Sequence, residues 1–244
     1  SLSNILSWLI ENEFNLGGNE NNIDYKSLIK QITSSRTNDP ESHVHKPLDY
    51  LSMQIYETWW SKLNQSIKKN VIKRWGEPQF SKEKEPNGFP ITGVIFGNIA
   101  ILVQPSRGYD PDNIEDLHSP YLPPPHRYLA QYLWLNEIFK ADAIIHLGKH
   151  GSLEWLPGKS VGISENCFPG VALGELPHIY PFIVNDPGEG SQAKRRSNAI
   201  IIDHLTPPIG RAKLYGDYLR LESLLEEYVE ARSFKSERVL FIKD

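Results

Sequence analysis

The chain has little sulphur: 244 residues include one cysteine, Cys167, and one methionine, Met53. A single cysteine excludes an internal disulfide framework and fits a reducing compartment, so a cytoplasmic protein is expected. Long apolar runs are also missing. None approaches the ~18 residues a spanning helix needs, and the opening Ser1–Ile10 lacks the basic start of a signal peptide, so no membrane span is expected. Positive charge is not in surplus, with 26 Lys and Arg against 30 Asp and Glu for a net charge of -4. No basic stripe with interleaved aromatics occurs, which argues against a nucleic-acid partner. The absence of an initiator methionine reads as a piece of a longer polypeptide. What is present is ample for a core, since 39% of residues are hydrophobic and the length suits one large domain or two small ones.

Residues 1–46 hold one or two short helical patterns, then a polar run from Thr33 to Ser42 that reads as a surface loop. From Leu51 onward, Ile55, Trp59, Leu63, Ile67, Val71 and Trp75 recur at every fourth position. That spacing predicts one long amphipathic helix closing at Gly76-Glu77-Pro78. After a charged loop, residues 91–96 and 99–103 look like two strands central in a sheet, because both faces are apolar. A loop rich in Pro, Asp and His leads to a helix near His126–Lys140, followed by a short buried strand, Ala141–Ile145. Residues 179–184 form a further strand. Asp186-Pro-Gly-Glu189 is a capping-box start for a helix running through Lys194-Arg-Arg196 to about Ile202. A second long helix, Leu214 to about Arg232, places Leu221, Leu224, Leu225 and Tyr228 on a packing face. The fold class expected is α/β, a layered domain with a mainly parallel sheet flanked by helices and preceded by a helical N-terminal segment. The division would be residues 1–80, helical with a loop, and 81–244, the α/β portion.

The densest chemistry lies in His146-Leu-Gly-Lys-His-Gly-Ser-Leu-Glu-Trp-Leu-Pro-Gly-Lys159. It follows the strand's carboxyl end, where ligands bind in open α/β sheets because the loops diverge there. His146, His150 and Glu154 are spaced by four, although Gly148 and Gly151 argue against an uninterrupted helix. Two imidazoles and a carboxylate suit a borderline divalent cation such as Co2+ or Zn2+, or proton transfer near neutral pH. The plain alternative is a buried structural histidine and a helix-capping glutamate. The zinc-protease order needs a carboxylate between its histidines and is not met, and no Ser or Cys nucleophile motif is present, which argues against a metal-dependent hydrolase. Gly158-Lys-Ser160 fails the spacing of a phosphate-binding loop. Lys194, Arg195 and Arg196 either complement the negative end of their helix or clamp ligand carboxylates. Asp186 and Glu189 fit a helix cap, His126 begins a helix facing the same crevice, and Cys167 reads as a small buried hydrophobe. The roles of His178 and His204 stay open.

Several stretches together resemble the large-subunit family shared by cobaltochelatase and magnesium chelatase. They are Gln104-Pro-Ser-Arg-Gly108, Pro124-Pro-His126, the 146–159 segment, Leu176–Gly190, Gln192–Arg196 and Asp203-His-Leu-Thr-Pro-Pro208, within roughly residues 90–220. The resemblance implies an enzyme subunit that binds a tetrapyrrole and inserts a metal, with ATP and its Mg2+ handled by separate AAA+-type ATPase subunits. Leu-Glu-Trp-Leu-Pro-Gly and Asn-Asp-Pro-Gly-Glu-Gly look like the cobalt form. That implies Co2+ as substrate metal and hydrogenobyrinic acid a,c-diamide as acceptor, in cobalamin biosynthesis. The alternatives are Mg2+ with protoporphyrin IX, or a tetrapyrrole-binding or docking module without chemistry of its own. On this reading His146, His150 and Glu154 handle the metal, with Glu154 and His150 catalytic. Arg107, His126, Lys159, Asp186, Glu189, Lys194, Arg195 and Arg196 hold the macrocycle.

Overall fold

The computed structural model describes residues 2–15, 25–37, 42, 45–108, 119–147, 151–181, 187–202 and 216–233. The chain divides into two units, Ser1–Asp203 and His204–Asp244. In the first, α1 (Leu2–Glu11) and α2 (Tyr25–Ser34) precede β1 (Asp49–Leu51), which pairs antiparallel with β2 (Phe89–Ile91). Between these strands lie α3 (Met53–Lys62) and α4 (Gln65–Trp75).

The single long helix expected over this stretch is therefore two. Leu63 turns extended at ψ 152°, and the Asn64 side chain accepts a hydrogen bond from the Ser66 N–H to cap α4. An asparagine oxygen satisfies an orphan N–H at a helix start better than it serves mid-helix, so it breaks the run while leaving the apolar period intact. Tyr56 and Trp60 of α3 and Ile67 and Val71 of α4 all reach one core.

The two strands expected to be central are also different. β3 (Gly93–Phe96) and β4 (Ile99–Leu102) pair with each other as an antiparallel hairpin, and β4 is half-buried throughout. Gly97, at φ 53°, takes the positive-φ position of the two-residue turn. An apolar run on both faces did not distinguish a central strand from a hairpin packed on helices. Here Phe96 joins Leu6 and Leu9 of α1 in a small separate cluster.

Helix α5 (His126–Trp134) has every residue buried and continues as a π-turn, Leu135–Phe139, stopping at Lys140 with φ 56°. It packs on β1, β2 and α6 (Phe168–Leu173). Tyr128, Leu129, Leu133 and Trp134 form the centre of the main core with Leu153, Leu156 and Phe168.

The parallel sheet flanked by helices is three strands wide, in the order β5 (Ile144–Ile145), β6 (His178–Pro181), β7 (Ile200–Ile202). Helix α7 (Pro187–Arg196) connects the last two. It stops short of the expected Ile202 because Ala193 O accepts both the Ser197 and Ala199 N–H groups, Asn198 turns to φ 50°, and the β-branched run 200–202 joins the sheet. In the second unit, α8 (Asp217–Ser233) leaves Leu221, Leu224 and Leu225 exposed, so its expected packing face is not buried.

Candidate functional site

Alternation along β5 and β6 sets the geometry. Ile144 pairs with His178, the His146 N–H continues the ladder onto Ile179 O at 2.9 Å, and Ile145 points outward. Side chains two apart share a face, so His146, His178 and Tyr180 all stand on the inner side of the sheet, under α5. From α5, Tyr132 meets His146 Nε2 at 3.0 Å. His146 Nδ1 lies 3.0 Å from His178 Nε2, and His178 Nδ1 lies 3.1 Å from Ser197 Oγ.

Hydrogen counting assigns a direction to this chain. The Ser197 hydroxyl donates to Ala193 O at 2.7 Å, so it accepts from His178 Nδ1–H. His178 Nε2 then accepts from His146 Nδ1–H, and His146 Nε2 accepts from the Tyr132 hydroxyl. The Gln104 amide donates to both Tyr132 and Tyr128, at 2.9 and 3.1 Å, and Tyr128 reaches Ser152 Oγ at 3.0 Å. Burial keeps both imidazoles neutral, with His146 lowered to about 3, aided by His178. His178 falls to about 4, a hydrogen bond to the Ser197 backbone opposing that shift. Burial raises the Tyr132 and Tyr128 hydroxyls, keeping both phenols protonated.

Two residues beyond Ser152, Glu154 sits fully buried in the 3₁₀ turn Leu153–Trp155. Two buried arginines hold that turn by its carbonyls. Arg107 donates to Trp155 O at 2.9 Å and to Ser119 O at 2.6 Å, while Arg196 donates to Leu156 O at 2.8 Å and to Lys159 O at 3.1 Å. Burial lowers the pKa of both guanidiniums, and the Glu154 charge opposes that shift in each. The same charge reaches Tyr128 and Tyr132, raising both phenols further. Gly151 fits closely here, because a Cβ at that position would come within 2.7 Å of Glu154 Oε1. The Gly151 N–H meets Tyr180 OH at 3.3 Å.

The structure thus brings together His146, Glu154, Arg107 and Arg196 of the expected residues, around the loop beyond β5. Lys159, Lys194 and Arg195 are exposed. His126 is elsewhere: fully buried, it accepts from Tyr56 OH at 2.8 Å and donates to Gly76 O at 3.0 Å among Trp60 and Phe89, so it braces α4 against α5 and faces no crevice. His150 and Asp186 lie outside the described residues, as does the side chain of Glu189. Cys167 is buried as expected, but its sulphur is also a hydrogen-bond acceptor. Burial works to raise its pKa, and the Lys159 N–H at 3.2 Å and the Ser164 hydroxyl at 3.2 Å outweigh it to give a net lowering.

Sequence reasoning left out Gln104, Tyr128, Tyr132, Ser152 and Ser197 as site residues, and left His178 open. Tyr128 and Tyr132 carried a signal, being polar-tipped aromatics one helical turn apart on one face of the helix. His178 carried another, as the polar end of a strand next to the His146 strand.

The CobN/Magnesium Chelatase family model matches residues 1–243. The chain belongs to this family. An aerobic cobaltochelatase subunit CobN from a Sinorhizobium species is 48% identical over 208 residues, covering 85% of this chain and 16% of the relative. A chloroplastic magnesium-chelatase subunit ChlH from Oryza sativa subsp. indica is 33% identical over 231 residues, covering 93% and 16%. Among solved structures, the catalytic subunit of cobaltochelatase from Mycobacterium tuberculosis matches with a TM-score of 0.73 and 38% identity, covering 99% of this chain and 21% of that one. The chain therefore spans about a sixth of the length of these curated relatives.

Proposed function

We propose that this chain forms part of the tetrapyrrole-binding large subunit of a cytoplasmic, ATP-dependent metal chelatase, inserting Co2+ into hydrogenobyrinic acid a,c-diamide. AAA+-type partner subunits would hydrolyse the ATP. Metal insertion must strip water from the cation, expose the ring nitrogens and remove two N–H protons, so it needs ligands and a base in one crevice. The observation that carries the reading is Glu154, a buried carboxylate on a turn clamped by Arg107 and Arg196, beside the Tyr132–His146–His178 chain. Glu154 takes the proton-accepting role, and His146, with His150 from the same segment, handles the metal. Lys159, Lys194 and Arg195, exposed cations, take the role of binding the macrocycle's carboxylates or amides, with Asp186 and Glu189 as further polar contacts. Arg107 and Arg196 act on the macrocycle through the turn they hold.

Imidazole donors favour cobalt over magnesium, since Mg2+ prefers oxygen ligands. The second reading, Mg2+ insertion into protoporphyrin IX, is supported by the identity to magnesium-chelatase subunits. The third, a docking module without chemistry, is separated by Glu154→Ala. A fluorescence-quenching titration with each tetrapyrrole, followed through the chain's 6 tryptophans, tests substrate choice. Tighter binding of the corrin precursor is expected. Preference for protoporphyrin would overturn the cobalt assignment, and binding of neither would remove the tetrapyrrole site from this chain.

A further inference from the structure

We propose that Trp155, with Tyr121 on the neighbouring segment, is the aromatic surface that receives the face of the macrocycle. The identity of the ligand rests on the chelatase reading, and its place rests on the surface itself. Leu153, Glu154 and Leu156 are each fully buried, whereas Trp155 among them is 37% exposed. The turn thus buries its other side chains and presents an indole. Tyr121 is 86% exposed and Val161 64%, and large apolar groups gathered at a surface mark a contact where single ones do not.

The segments that carry these side chains are fastened together through backbone atoms. One nitrogen of buried Arg107, Nη2, donates to both Trp155 O and Ser119 O, so a single guanidinium holds the indole's backbone beside the 119–121 segment. The Tyr121 N–H in turn donates to Ser119 Oγ at 3.3 Å. On the other flank Arg196 donates to Leu156 O and Lys159 O, and the Gly162 N–H donates to Arg195 O at 2.6 Å. Rigid mounting favours binding, because an indole whose backbone is already fixed loses little conformational freedom when a ring is laid on it.

The chemistry of the surface selects its ligand. Two aromatic rings and a valine offer apolar and π contact, and the exposed cations Lys159 and Arg195 lie on the same fastened segments. A matching ligand has a broad conjugated face and carboxylates or amides at its rim. A tetrapyrrole has both, and a bare cation or a phosphate has no face to offer. Glu154 is buried in the same 3₁₀ turn, so a macrocycle resting on Trp155 lies one residue from the carboxylate that takes its protons.

The test titrates the full chain with hydrogenobyrinic acid a,c-diamide and with protoporphyrin IX, followed by the tetrapyrrole's own absorbance so that loss of a tryptophan leaves the signal intact. Trp155→Leu should weaken binding by about 10-fold or more, and Trp155→Phe should recover most of it, as expected of a ring contact. Tyr121→Leu should weaken it by about 3-fold. Quenching of tryptophan emission should be largely lost in Trp155→Leu and kept in Trp8→Leu, which removes the other exposed indole, on α1. In a full-length large subunit with its ATPase partners, Trp155→Leu should raise the tetrapyrrole KM by about 10-fold and leave kcat within about 2-fold, a split that loosening of the Glu154 turn would not give. Circular dichroism and melting of each variant check folding, and Trp155→Phe carries the comparison where Trp155→Leu is unstable. Equal affinity in wild type and Trp155→Leu, or a loss that Trp155→Phe does not recover, would overturn the contact while leaving the chelatase reading in place. Binding of neither tetrapyrrole by the wild-type chain would overturn both.

Discussion

His126 is a fully buried imidazole and His146 a half-buried one in the same unit of the chain, and both ring nitrogens of each are hydrogen-bonded. Their neighbours differ. His126 is boxed by Tyr56, Trp60 and Phe89, and its bonds end at a phenol and the backbone carbonyl of Gly76. Burial lowers its pKa, the Gly76 bond opposing. His146 instead sits between Tyr132 and a second imidazole, and that chain passes through Gln104 and Tyr128 to Ser152, two residues from Glu154. Residue type and burial alone do not separate a brace from a site. What separates them is whether the partners of the ring are themselves able to move hydrogens.

Replacing each ring should therefore have opposite consequences. His126→Ala empties an aromatic box and leaves Tyr56 OH and Gly76 O without a partner. A loss of about 3–5 kcal/mol in urea unfolding is expected, with Co2+ affinity of the folded fraction unchanged. A Co2+ defect at full stability would place His126 back in the site.

Acid should strike both rings in the same direction. The folded-state pKa values of His126, His146 and His178 all lie below the ordinary value of 6.5. The unfolded chain then takes up protons first as pH falls, so the metal-free chain keeps its full stability above about pH 6.5 and loses it progressively toward pH 4. His178 alone contributes a loss on the order of 3 kcal/mol, at about 1.4 kcal/mol per pH unit. Denaturant midpoints measured from pH 7 to pH 4 check this, and a flat profile would contradict the neutral pair.

Arg196→Met removes the donors to Leu156 O and Lys159 O, with about 2 kcal/mol of destabilisation expected. Tetrapyrrole affinity, read by tryptophan quenching, should fall as well because the 154–159 turn loosens. Gly151→Ala should cost the least stability, about 1 kcal/mol, yet it forces the Glu154 carboxylate aside and should depress metal insertion more than its effect on melting suggests.

These differences also show what could be read from sequence. The position of His146 and Glu154 beyond a strand was legible because a short apolar run and two glycines mark a strand and its turn, and a helix was expected where α5 lies. The break at Asn64 was not, because a four-residue apolar period runs straight through it. β7 was hidden by a helix pattern whose end depends on Ala193 O accepting two N–H groups. The site's outer members, Tyr132, Ser197 and Gln104, are brought to His146 and His178 only by packing of α5 and α7 on the sheet, and no local spacing encodes that. Arg107 and Arg196 were legible as cations, though their attachment to the Glu154 turn was not.

The most direct measurement is Co2+ insertion into hydrogenobyrinic acid a,c-diamide by a full-length large subunit carrying Glu154→Gln, assayed with its ATPase partners. This substitution keeps the size of the buried side chain and removes its ability to take a proton. An insertion rate lowered by about 100-fold or more, with tetrapyrrole affinity preserved, is the result expected of a proton acceptor. An unchanged rate would remove Glu154, and the site built around it, from the chemistry.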